Sequence, residues 1–211
     1  MIDNETLDTM LWKKVPRIKL ELNFAQIKAI ADLFAHIVDY KSPFTSNHSM
    51  GVAEGAEKIS RFMGFDEDIC QKMYIGGALH DIGKVAIGNE ILEKPEKLTD
   101  EEFKTMKHHA VYTYYILSGI DDFEEIRDWA ALHHKKLNGK GYPFGKTAAE
   151  LNEPERMMAC VDIYQALTED RPYKKGLSHE KTCDILDDMA QKDFIDSDIS
   201  KIIRECFGRN R

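Results

Sequence analysis

The chain has 211 residues, of which 43% are apolar, enough to bury one sizeable core, and the length alone does not demand a second domain. A formal charge of −8 at pH 7 excludes a general polyanion-binding surface, so duplex nucleic acid and anionic membranes are not expected partners, and any phosphate ligand must be held locally. The start MIDNETLDTM lacks a basic-then-apolar leader, no stretch approaches the roughly 20 apolar residues of a membrane span, and Cys70, Cys160, Cys183 and Cys206 form no CxxC pair; a reducing cytoplasmic setting is expected.

Residues 1–23 read as an N-terminal extension without a motif, helical at most in part. Within it Arg17–Leu22 is the nearest approach to a strand. From Phe24 to Tyr40 the apolar residues Phe24, Ile27, Ile30, Ala31, Phe34, Ile37 and Val38 recur at steps of three and four, which predicts a helix with one apolar face. Lys41-Ser42-Pro43 interrupts it, because proline disfavours helical geometry in the residue before it. A second helix runs through Val52, Ala56, Ile59 and Met63 and stops at Gly64. Asp66 is placed to cap a third, ending near HDIGK, and Thr99-Asp-Glu-Glu102 has the capping-box pattern for a fourth running to Leu117. Further helices are predicted over Phe123–His134, Pro154–Glu169, Ser178–Ala190 and Ser197–Cys206. The fold class is therefore all-α, read as one domain over residues 24–190 with 191–211 as a C-terminal helix packed on it. The Gly- and Lys-rich stretch Lys135–Lys146 is the one long loop with strong turn chemistry.

Histidine and aspartate carry the chemistry. His48, His80 with Asp81, His109, His133-His134 and Asp162 are the candidate metal ligands, since neutral imidazole and carboxylate suit iron, manganese, zinc and similar divalent ions, and a carboxylate bridges two ions through its separate oxygens. Asp81 is read as that bridge. His36, His108 and His179 read as solvated or hydrogen-bonded side chains, and His133-His134 alone would be explained by the helix dipole.

HDIGK at His80–Lys84, HHKKLNGKGYP at His133–Pro143 and ALTEDRPYKKG at Ala166–Gly176, with KSPFT before His48-Ser49 and ILEKPEKLTDEEF at Ile91–Phe103, resemble the HD-GYP family of bacterial signalling phosphodiesterases in type and order. HD alone is a weak signal; the combination over roughly residues 39–186 is specific. The resemblance implies a helical bundle of the HD superfamily. It also implies two divalent cations, iron or manganese first and zinc, nickel or magnesium also in range: His48, His80, Asp81 and Asp162 around one, His109, His133 and His134 completing a second that shares Asp81. It implies catalytic roles for Asp81 and Lys84, and substrate contacts from Gly141, Tyr142, Arg171 and Lys174. A guanidinium fork and a compact ammonium suit phosphate oxygens on physical grounds too.

The activity implied is hydrolysis of cyclic di-GMP or a related cyclic dinucleotide, with the two cations lowering the pKa of a shared water. The alternatives are a catalytically weak cyclic-dinucleotide sensor that signals through protein contacts, and an HD phosphohydrolase for another nucleotide. A homodimer, and a sensory or receiver domain as partner, are expected from the same resemblance. The sequence departs from the family in places. Lys135 stands where glutamate is usual and is expected to face outward into solvent, away from the cations. Phe44 stands where some relatives place a ligand for a third metal, so two are expected. Asn138, Ala110 and Ala148 replace the common aspartate, proline and glycine.

Overall fold

The computed structural model of the chain describes residues 20–41, 47–170 and 174–209. Ten α-helices and two short 3-10 turns make up the regular structure, with no strand among the described residues: α1 Phe24–Lys41, α2 His48–Met63, α3 Glu67–Leu79, a 3-10 turn Ile82–Ala86, α4 Asn89–Leu92, α5 Asp100–Met106, α6 His108–Leu117, α7 Glu124–Ala131, a 3-10 turn Ala148–Glu150, α8 Glu153–Thr168, α9 His179–Gln191 and α10 Ser197–Gly208. Leu20–Leu22, the described end of the strand candidate, is irregular and largely exposed, and Arg17 to Lys19 lie outside the described residues.

The caps read from the sequence are present as hydrogen bonds. Asp66 accepts from the Ile69 amide, Gly64 turns α2 off in the left-handed region at φ 82°, and Thr99 and Glu102 form a reciprocal capping box; Asn152 with Glu155 forms a further one, not read from the sequence, at the start of α8. Two boundaries differ from expectation. The helix predicted from Thr99 to Leu117 is two, α5 and α6, broken at Lys107, and α7 ends at Ala131 rather than His134. In both places a histidine ring takes the carbonyl that the next helical amide would have used: His109 Nδ1 lies 2.7 Å from Met106 O, and His133 Nδ1 lies 2.6 Å from Ala130 O.

The buried face of α1 also differs. Ala31, Ala35 and Val38 face the core, while Ile30, Phe34 and Ile37 of the predicted stripe, together with Leu33, are exposed. The small side chains let α1 approach α3 closely, and the larger ones point out.

Two apolar clusters fill the interior. One joins Val52, Ala56 and Ile59 of α2 to Met157, Met158 and Val161 of α8, Leu186 of α9 and Ile199 and Ile203 of α10; the other joins Ala31 and Ala35 to Tyr74, Ala78, Leu117 and Ile126. Helix α10 thus supplies core side chains in its own right. All four cysteines are buried, free thiols.

Candidate metal centre

The candidate ligands sit mostly where helices begin or end. His48 opens α2, which is anchored to α1 by Asp39: its buried carboxylate accepts from the Ser49 amide (3.0 Å) and hydroxyl (2.8 Å). His80 follows α3, and Asp81 leads into the 3-10 turn, which Lys41 of α1 holds by donating to Val85 O and Ile87 O, each at 2.9 Å. His109 lies in the first turn of α6, His133 and His134 just past α7, and Asp162 within α8.

Gly83 explains why the HD motif continues as it does. A Cβ there would stand 1.9 Å from His109 O and 2.6 Å from the Thr113 amide, so only glycine lets the turn lie against α6. Thr113 then ties the two together, accepting from the Gly83 amide (3.0 Å) and donating to His80 O (3.0 Å).

The seven side chains converge. Asp162 Oδ1 lies 3.0 Å from His48 Nε2 and 3.8 Å from His80 Nε2. Asp81 directs Oδ2 toward His80 Nε2 at 3.2 Å and Oδ1 toward His109 Nε2 at 3.4 Å and His133 Nε2 at 4.0 Å. His134 Nδ1 lies 3.8 Å from Asp162 Oδ2, so Asp162 as well as Asp81 spans both groups, a feature the sequence did not announce. The donor atoms fall into three sets that could each hold an ion: His48, His80 and Asp162; His80, Asp81 and His133; and His109, His133 and His134.

The donors are prepared for cations. His80, His109 and His133 each place Nδ1 against the carbonyl three residues back, Gly77, Met106 and Ala130, at 2.6 to 2.7 Å. That contact assigns the ring proton to Nδ1 and turns the Nε2 lone pair inward. His80 Nε2 and Asp81 Oδ1 are buried without a hydrogen-bond partner among the described residues. Orphaned buried acceptors are costly, and a divalent cation is the partner that this donor set fits.

Electrostatics agree. Burial opposes charge on Asp81 and Asp162, yet Lys84 and His80 around the first and His48 around the second hold both well below the usual carboxylate range. Lys84, against Asp81 Oδ2, keeps its charge despite burial because of that carboxylate. Burial keeps His109 and His133 neutral and pushes His134 down to about 4. His48 differs: burial opposes its charge, but Asp162 and Glu169 raise it to about 10.

The sequence profile of the HD domain family matches residues 32–199. The chain belongs to the HD domain family. It is 34% identical over 188 residues to 3'3'-cGAMP-specific phosphodiesterase 1 of Vibrio cholerae, covering 89% of this chain and 44% of that protein, and 36% identical over 134 residues to a cyclic di-GMP phosphodiesterase of Pseudomonas aeruginosa, covering 63% and 32%. The chain thus spans less than half the length of these curated relatives. Among solved structures, the HD domain of the Listeria monocytogenes phosphodiesterase PgpH in complex with cyclic-di-AMP shares the fold at a TM-score of 0.59 and 21% identity over 82% of this chain and 92% of that one. An HD-GYP-type protein of Bdellovibrio bacteriovorus does so at 0.63 and 13%, over 88% of this chain and 65% of that one.

In this HD domain the loop after α7 returns over its own start. Gly141 is needed because a Cβ would meet His134 O and the Lys136 amide at 2.4 Å, and the Tyr142 amide donates to His134 O at 3.3 Å. The Tyr142 ring stands 4.8 Å from the ring of His134 and 6.2 Å from that of His109. Asn138 does the turn work of the aspartate it replaces, Oδ1 accepting from the Lys140 amide at 3.1 Å.

Lys135 corrects an expectation. It is 4% exposed rather than solvated, its ammonium has no hydrogen-bond partner, and burial lowers its pKa, with Glu150 and Lys146 the charges acting on it. It is turned from the carboxylates of the centre, but into the loop rather than into water. Lys174 is exposed, and Arg171 and Phe44 lie outside the described residues.

The histidines set aside behave as such. His36 and His108 are exposed, and buried His179 takes part in a hydrogen bond with the Tyr164 hydroxyl at 2.9 Å while its Nε2 meets Arg204 O at 3.1 Å. Asp39, Thr113 and Glu169 escaped the sequence reading; each acts on a ligand or its helix, and although Glu169 lies within the Ala166–Gly176 motif, nothing in the motif pointed to His48.

Proposed function

We propose that this HD domain is a metal-dependent phosphodiesterase that hydrolyses a cyclic dinucleotide, cyclic di-GMP or the mixed cyclic GMP-AMP, with a pair of iron or manganese ions. The observation that carries the reading is Asp81: its two oxygens address different imidazoles, one of them has no hydrogen-bond partner, and the carboxylate stays ionised although buried. The relatives named as cyclic-dinucleotide phosphodiesterases support the substrate class.

Bound cations would supply Lewis acidity to phosphoryl oxygens and lower the pKa of a water nearby. The chain's residues provide the rest. His48, His80, His109, His133 and His134 with Asp81 and Asp162 hold the cations; the backbone carbonyls fix three of the imidazoles so that little reorganisation accompanies loading. Lys84 sets a fixed ammonium beside Asp81, where it offsets negative charge growing on a phosphoryl oxygen. Tyr142 offers a half-buried ring on which a base can stack, and Arg171 and Lys174 supply cations for the second phosphate. Local cations thereby override the repulsion expected of an acidic protein.

A cytoplasmic setting is part of the proposal, supported by four buried free thiols; no helix among the described residues is long and apolar enough to cross a membrane. Incubating protein loaded with iron(II) or manganese(II) with cyclic di-GMP and 3'3'-cGAMP, and resolving products by chromatography, tests it. Linear dinucleotide from either is the expected result; intact substrates in fully metallated protein refute the activity.

A further inference from the structure

His48 stands apart from the other ligands. His80, His109 and His133 follow a stretch of helix whose carbonyl three residues back receives Nδ1. His48 is the first residue of α2, and Asn47 before it gives no side-chain cap. Its Nδ1 lies 3.5 Å from a carboxylate oxygen, Glu169 Oε2, an ion-pair contact rather than a hydrogen bond. The other oxygen of that carboxylate accepts from the Asn47 amide at 3.3 Å. The Glu169 side chain is 8% exposed and that of His48 6%. Glu169 gets there because α8 stops at Thr168 and the backbone turns extended at φ −69°, ψ 132°, bringing the side chain back over the start of α2.

We propose that Glu169 is the positioning residue for His48, drawing that imidazole into place by charge from the end of a neighbouring helix, where backbone carbonyls hold the other three by hydrogen bonds. This rests on the metal-centre reading above. With one face of the ring on Glu169 and Nε2 beside Asp162, His48 has a single productive orientation. A carboxylate partner also makes the imidazole a stronger donor than a carbonyl does, so the half of the centre built on His48 and His80 owes part of its affinity to a residue outside the ligand set. A glutamate that merely capped α2 through Asn47 would be replaced by glutamine without loss of affinity, because glutamine still accepts from that amide.

The test is competition for zinc(II) between the whole chain and a chromophoric chelator, for wild type and for Glu169→Gln, Glu169→Ala and Glu169→Asp, with cobalt(II) absorption spectra and melting temperatures of the metal-free proteins alongside. Glutamine is isosteric and still accepts from Asn47, but lacks the charge. The expected result is that one of two zinc equivalents weakens by about 10- to 100-fold in the Gln and Ala variants, that the other is unchanged, and that Asp recovers most of the loss. Unchanged affinities in Glu169→Gln and Glu169→Ala overturn the proposal, as does an equal loss at both equivalents tracking the melting temperature. Wild-type protein that takes up no zinc instead refutes the metal-centre reading itself.

Discussion

At the scale of single residues, the centre depends on where each proton sits. His109, His133 and His134 are kept neutral by burial and accept cations without losing a proton. His48, raised to about 10 by Asp162 and Glu169 against the effect of burial, carries its proton at neutral pH in the metal-free protein. A cation must displace it, so loading near pH 7 releases about one proton per chain, and affinity at that half rises with pH toward 10 and falls as pH drops. Calorimetric titration in two buffers of different ionisation enthalpy counts that proton; a buffer-independent heat contradicts the assignment. Asp81→Ala removes the carboxylate shared by both groups and is expected to strip metal and bring turnover to the metal-free background, measured by metal analysis and product chromatography. Tyr142→Ala removes a stacking ring worth about 1–3 kcal/mol and should raise KM by about tenfold or more with metal content unchanged. The sequence makes the candidate ligands legible only in combination, because HDIGK, the doubled histidine before GYP and the DRPY segment occur together in family order while each alone has other uses. It hides Glu169, since a glutamate at a helix end reads as solvated until the fold brings it to His48.

At the scale of elements, the same imidazoles decide where helices stop. Helix periodicity and caps predict α1, α2, α3 and α8 to within a residue or two at most ends, because Asp66, Gly64 and Asn152 act locally. Local signals do not reveal that His109 and His133 claim carbonyls of the preceding turn, and those are the boundaries that move. Nor does a stripe of apolar residues say which part of it is buried: on α1 it is the small Ala31 and Ala35, not Ile30 or Phe34. The contact between the 3-10 turn and α6 leaves no room for a side chain at Gly83. Gly83→Ala drives a methyl into the His109 carbonyl and is expected to cost roughly 3 kcal/mol and to displace His109, seen as a lower urea midpoint together with weakened metal binding. Asn152→Ala, which removes only the α8 cap, should cost about 1 kcal/mol and leave metal binding intact.

At the scale of the whole molecule, four helix ends and one mid-helix aspartate meet because two apolar clusters, one on each side of α2 and α3, fix the relative placement of their helices. Composition says nothing of this: in a chain of charge −8 the proposed cations are local, Lys84 and the ions that the histidine and aspartate cluster would hold. The all-α class follows from period and caps, whereas the convergence of His48 with Asp162 and of His80 with His133 is a property of topology that only the HD-GYP resemblance anticipated. The most direct test of the account is metal quantification by mass spectrometry on protein purified anaerobically with iron(II) or manganese(II) and freed of excess by gel filtration. Two divalent cations per chain are predicted; a chain that retains none, or a single cation unaffected by Asp81→Ala, contradicts a shared two-ion centre.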